Sequence, residues 1–150
     1  MIRAVIFDLD GTLIQTEKLK ARAYALAAVE LKPGFFTEQE AFDAFRDFVG
    51  GSREEVSKGL LNQFGLEEAA RARMPEFSAS EPWQVLTRLR MEIYEGIIAD
   101  EKVLQQAAWD HNLDLLHQVR ATECKLGLAT MSHCQQAKRC LLYTSDAADE

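Results

Sequence analysis

Residues Arg3-Ala4-Val5-Ile6-Phe7-Asp8-Leu9-Asp10-Gly11-Thr12-Leu13 decide how the rest of the chain is read. Ala4 to Phe7 is a short apolar run rich in β-branched and aromatic side chains, the pattern of a parallel strand covered on both faces. It stops at Asp8. Asp8, Asp10 and Thr12 follow at i, i+2 and i+4, so a backbone that stays extended would point all three side chains the same way. Gly11 lets the chain bend there at little steric cost. Ligands in open α/β sheets sit beyond the carboxyl ends of strands, which is where these groups fall. Two carboxylates this close repel, and a divalent cation relieves the repulsion. With such a cation one carboxylate can attack an electrophile while its neighbour moves protons. The residues alone leave a plainer reading open, in which the pair caps the following helix.

The string Phe7-Asp8-Leu9-Asp10-Gly11-Thr12-Leu13 closely resembles motif I of the haloacid-dehalogenase-like hydrolase superfamily. The resemblance implies that Asp8 is a nucleophile forming an aspartyl-phosphate and Asp10 the general acid/base. It also implies Mg²⁺, held in part by Asp8 and the Asp10 carbonyl. Thr12 is the substrate-binding candidate beside them. The implied fold is α/β, a Rossmann-like parallel-sheet core with an inserted α-helical cap.

Composition narrows the class. At 150 residues, 47% hydrophobic and 27% charged, the chain is an ordinary globular length, one domain or a small domain plus part of another. No apolar run approaches the roughly 20 residues of a membrane span, and the chain enters its first strand at once, leaving no room for a signal peptide. The expectation is a cytoplasmic monomer with no membrane partner. A net charge of −7, from 24 acidic and 17 basic residues, argues against a nucleic-acid surface. It is compatible with a small phosphorylated metabolite, because a bound cation and a few basic groups set the local field. Cys124, Cys134 and Cys140 form no CxxC pair and are expected as reduced thiols.

The stretch after motif I is helical throughout. Thr16 to Leu31 has Leu19, Ala23, Leu26 and Ala27 on one face, and Pro33-Gly34 ends it. Thr37-Glu38-Gln39-Glu40 and Ser52-Arg53-Glu54-Glu55 are capping boxes. The first opens a helix carrying Phe42, Phe45 and Phe48; the second runs to Phe64, where Gly65 stops it. Glu67 to Arg73 is short, and Ser80 is the expected cap of a helix from Glu81 to Ile98. By the resemblance, 16–99 is the cap and 1–15 with 100–139 the core. Gly50-Gly51-Ser52-Arg53 resembles a substrate-contacting segment of phosphatase and phosphoglucomutase-like members, which makes Arg53 a binding candidate for substrate oxygens. A solvated helix start explains it equally well. Gln15 and Lys20 depart from the residues that usually follow motif I.

Helices are expected again over 103–108 and 111–120. Lys125-Leu126-Gly127-Leu128-Ala129 is a second short strand, followed by Thr130, and Ser132-His133-Cys134-Gln135 reads as a capping box. This arrangement resembles motif II, which implies that Thr130 donates a hydrogen bond to the transferring phosphoryl group. His111, His117 and His133 read as surface or capping residues.

A basic motif III and an acidic motif IV are not found after motif II. Asp146 and Asp149 follow it too closely, with no strand before them. The tail 140–150 is similar to translated adapter sequence from sequencing-library preparation and is expected to be non-native, the protein being a longer hydrolase. Two strands rarely make an independent sheet, so the 150-residue chain alone is expected to fold poorly and turn nothing over. The function implied is Mg²⁺-dependent phosphomonoester hydrolysis. A phosphosugar mutase similar to β-phosphoglucomutase, and a non-catalytic module phosphorylated on Asp8, remain as alternatives.

Overall fold

The computed structural model describes residues 2–130, 132 and 134–144, with side chains through Leu141. Met131, His133, Asp146 and Asp149 lie outside the described residues. The fold is α/β, mostly helical with a small parallel sheet, as an incomplete Rossmann-like core with added helices should be. β1 (Ala4–Asp8) pairs in parallel with β2 (Lys125–Ala129), in register from Ala4 opposite Lys125 to Asp8 opposite Ala129. The chain divides into two compact units, Met1–Leu19 with Ile97–Glu150, and Lys20–Gly96. Among the described residues no helix is long and apolar enough to cross a membrane.

In the first unit the strands are less covered than their sequence suggests. Phe7 is buried, but Ile6 is 71% exposed and Leu126 and Leu128 are 40% and 38% exposed. An apolar run encodes a strand; it does not encode how many neighbours the strand has, and two strands leave most of the sheet open. β1 ends at Asp8 because the chain turns tightly after it. The amides of Thr12, Leu13 and Ile14 all donate to the Leu9 carbonyl, at 3.3, 3.0 and 3.1 Å, and Gly11 takes φ +77° within the turn. That left-handed backbone is open to glycine and costly for most other residues. Leu9, Leu13 and Ile14 are fully buried and anchor the turn.

Two short helices clamp the same turn from outside. α6 and α7, as they fall in the chain, are Glu101–Gln106 and Asp110–Arg120. The Gln15 amide donates to the Ala107 carbonyl at 2.7 Å and the Trp109 amide to the Leu13 carbonyl at 2.9 Å. The Asn112 side-chain amide donates to the Thr12 carbonyl at 2.7 Å. α6 begins two residues before its expected start because Asp100 caps it, accepting from the Lys102 amide at 2.9 Å. A final helix, α8, spans Cys134–Thr144 and buries Ala137 and Cys140.

The second unit holds its own core. α1 (Thr16–Leu31) runs into it from the first unit. α2 (Glu38–Ala44) tightens into a 3₁₀ turn over Phe45–Phe48, where a continuous helix was expected. Three residues per turn put Phe45 and Phe48 on one side. Phe45 stacks on Tyr24 with ring centroids 5.5 Å apart, and the Phe48 ring lies where a Cβ at Gly59 would stand. That close approach accounts for a glycine in the middle of α3 (Arg53–Phe64). α4 (Glu67–Arg73) and α5 (Pro82–Ala99) complete the set, with Leu60, Leu66, Val85 and Leu86 fully buried. Inside this core the Thr87 hydroxyl donates to the Trp83 carbonyl at 3.0 Å, so the 2.8 Å contact with buried Ser57 has Ser57 as donor. Arg73, the last residue of α4, joins that helix to α1 through Glu30 at 3.0 Å and pairs with Glu76, just past its end, at 2.7 Å.

The start of α5 differs from expectation. Ser80 is not where the capping oxygen comes from: the Gln84 side chain folds back and accepts from the amides of Ser80 at 2.8 Å and Glu81 at 3.3 Å. Pro82 occupies the first helical position, where its missing N–H costs nothing.

The capping boxes at Thr37 and Ser52 both form. The Thr37 amide donates to Glu40 at 2.7 Å, and the Ser52 amide to Glu55 at 2.7 Å. These backbone bonds, helped by the capping hydroxyls, hold Glu40 and Glu55 below the usual carboxylate range. A lowered native pKa means the unfolded chain takes up protons first as pH falls. The stabilisation is therefore present above the ordinary glutamate value of 4.5 and lost as pH drops through the lower native values. In thermal melts followed from pH 7 down to pH 3, the double variant Glu40→Gln/Glu55→Gln should lose less stability on acidification than wild type. A glutamine still accepts the amide bond but does not titrate in that range. Parallel acid profiles would remove these two groups from the pH dependence.

Candidate active site

The parallel register brings the two motifs together. Because Asp8 lies opposite Ala129, both strands end at one level, and Asp10 and Thr130 follow at neighbouring tips. The Thr130 hydroxyl donates to Asp10 Oδ2 at 2.8 Å. Asp8 is exposed, and the Thr12 hydroxyl donates to its Oδ2 at 3.0 Å. The extended-backbone expectation fails beyond Asp8, yet Asp8 and Thr12 still meet. They do so through the turn that Leu9 closes.

Asp10 is half-buried and held on both oxygens. Thr16, 1% exposed at the start of α1, donates to Oδ1 at 2.8 Å. Ser132 donates to Oδ2 at 2.7 Å beside Thr130. The Ser132 amide in turn donates to the Thr130 hydroxyl oxygen at 3.0 Å, which leaves the Thr130 proton for Asp10. An ionised carboxylate accepts without donating and satisfies all three hydroxyls. Sequence reasoning missed Thr16 and Ser132, reading one as a helix start and the other as a helix cap. The available signal was a hydroxyl two residues beyond Thr130. Asn112 had none, since its bond to the Thr12 carbonyl spans 100 positions.

Arg53 is the first residue of α3 in the second unit, with Nη1 3.9 Å from the Met91 sulfur. His111 is exposed and His117 half-buried. Cys124, Cys134 and Cys140 form no disulfide among the described residues. Among the described residues no group of three or more His, Cys, Asp or Glu is placed to hold a metal ion.

The donors at the strand tip nonetheless suit one kind of cation. Magnesium takes hard oxygen ligands and is commonly held by one or two carboxylates, with waters and substrate phosphate completing its shell. Asp8 offers an exposed carboxylate of that type. Both Asp10 side-chain oxygens are engaged by hydroxyls, so this arrangement leaves Asp8 as the side chain suited to the role.

A parallel strand tipped by two aspartates, meeting a second strand tipped by a hydroxyl, defines the class. The chain matches the haloacid dehalogenase-like hydrolase family over residues 5–145, and it belongs to that family. Among individual proteins it is similar to Protein CbbY of Cereibacter sphaeroides, 35% identical over 65 residues. That stretch is 43% of this chain and 28% of CbbY, so it takes in less than a third of the relative's length. No solved structure matches the chain.

Proposed function

We propose that the protein is a phosphomonoester hydrolase acting on a small phosphorylated metabolite through an aspartyl-phosphate on Asp8. The observation that carries this reading is the exposed Asp8 carboxylate at the tip of β1, beside an Asp10 bonded to Thr130. Thr12 fixes one Asp8 oxygen and leaves the other to attack phosphorus. Asp8 attacks in line and the bond to the leaving oxygen breaks, with Asp10, first protonated by solvent or by the substrate's monoanion, giving that oxygen a proton. Asp10 then takes a proton from water as the water attacks the aspartyl-phosphate, and Asp8 is regenerated. Thr130 donates to a phosphoryl oxygen as its charge grows. Mg²⁺, held in part by Asp8, would neutralise phosphoryl charge when bound.

The compact helical unit Lys20–Gly96 is, on this reading, the inserted cap, with Arg53 contacting the substrate's non-reacting oxygens. The open sheet, with Ile6, Leu126 and Leu128 exposed, supports a catalytic core completed by strands outside this sequence. Assays therefore belong on the whole protein.

The test is a panel of phosphomonoesters followed in parallel for released inorganic phosphate and for isomerised sugar phosphate. Stoichiometric phosphate release bears out the hydrolase. Isomerisation without net release would make it a mutase. Neither product, with every substrate class and Mg²⁺ present, would sink the enzymatic reading.

A further inference from the structure

The hydroxyls of Thr16, Thr130 and Ser132 around Asp10 present a conflict of hydrogen bonds. Thr130 and Ser132 each have one hydroxyl proton, and both protons go to Asp10 Oδ2, at 2.8 and 2.7 Å. The Thr130 oxygen also accepts the Ser132 amide at 3.0 Å, and its single proton, already given to Asp10, leaves nothing to offer a second acceptor. A phosphoryl oxygen that takes a hydrogen bond from Thr130 must take it from Asp10.

We propose that Asp10 acts as an internal competitor for the phosphate site. Its carboxylate occupies the anion position of the Thr130–Ser132 hydroxyl pair, and an arriving phosphoryl group displaces it from both. The exchange has a functional consequence. Asp10, docked on Thr130, Ser132 and Thr16, has neither oxygen directed to a leaving group. Phosphate that binds the hydroxyls releases Oδ2 at the moment a substrate is present. Thr16 holds the other oxygen, Oδ1, at 2.8 Å, and is the positioning residue that keeps the side chain near the site during the exchange. The carboxylate is thereby freed by the substrate's own anion, and takes up from solvent or from that anion's monoprotonated form the proton it passes to the leaving oxygen. This inference rests on the hydrolase reading, since it takes the Thr130 hydroxyl as a hydrogen-bond donor to phosphate.

The experiment measures binding of inorganic phosphate to the whole protein without added metal, by NMR titration of the Thr130 and Ser132 amides. The Ser132 amide reports directly, because it bonds the Thr130 oxygen. Asp10→Asn and Asp8→Asn each remove one negative charge at nearly constant shape, so general repulsion of phosphate falls in both. Only the first replaces an anionic acceptor of the two hydroxyls with a weaker neutral one. Asp10→Asn should bind phosphate about fivefold more tightly than wild type, and Asp8→Asn should change it less than about twofold. Asp10→Ala, which removes the acceptor altogether, should tighten binding further and serves if the amide variant misfolds. Equal tightening by the two Asn variants would reduce the effect to charge repulsion and overturn the exchange. So would unchanged affinity in Asp10→Asn and Asp10→Ala. If the Thr130 and Ser132 amides do not respond to phosphate in any variant, the hydroxyls are not an anion site. In that case the hydrolase reading falls with the inference.

Discussion

Asp8→Asn in the whole protein should lower phosphate release by about a thousandfold or more, the scale on which removal of a covalent nucleophile is felt. The substitution is nearly isosteric. It keeps an oxygen to accept the Thr12 hydroxyl, now 3.0 Å from Oδ2, so the turn at the strand tip should be retained. What it removes is the anionic oxygen that forms the bond to phosphorus. Asp8 is exposed and anchors no part of the buried core, so a melting temperature near wild type is expected alongside the lost turnover. A folded Asp8→Asn protein retaining near-wild-type turnover would remove the aspartyl-phosphate mechanism. Acid-quenched protein incubated with ³²P-labelled substrate gives the complementary reading. Label should be retained by wild type and absent from the variant.

The largest effect on stability is expected at Leu60. It is fully buried on α3, in the cluster formed with Val56, Leu61, Leu66, Val85 and Leu86. Leu60→Ala removes apolar contact and leaves a cavity that the surrounding helices can close only in part. The cost is about 2–5 kcal/mol, equivalent to a fall in melting temperature of roughly 5–15 °C. Urea denaturation should show a lower midpoint at unchanged slope. A shift below about 1 kcal/mol would mean that the cluster repacks freely, which interiors at crystal-like density do not do. Because Leu60 belongs to the unit that lacks Asp8 and Asp10, the two substitutions separate stability from chemistry.

The alternation and caps of this chain are local matters, and the sequence determined them. Thr37 and Ser52 sit three residues before glutamates, and each pair closes on itself whatever the distant chain does. The strand runs at Ala4–Phe7, which the strand extends by one residue to Asp8, and at Lys125–Ala129, and the stop at Gly65, were legible for the same reason. So was membership in the hydrolase family, which motif I carries almost alone.

What lay beyond local reach was partnership. Nothing in Thr16 or Ser132 tells which acceptor its hydroxyl will find, and both find Asp10, across 6 and 122 positions. Asn112 reaches the Thr12 carbonyl only because α7 is folded against the turn. The exposure of Ile6 and Leu128 likewise depends on how many strands flank them, a property of the assembled sheet. A side chain's type is fixed residue by residue, but a hydrogen bond needs two groups within about 3 Å. Over separations of a hundred residues, only the packed tertiary structure sets that distance.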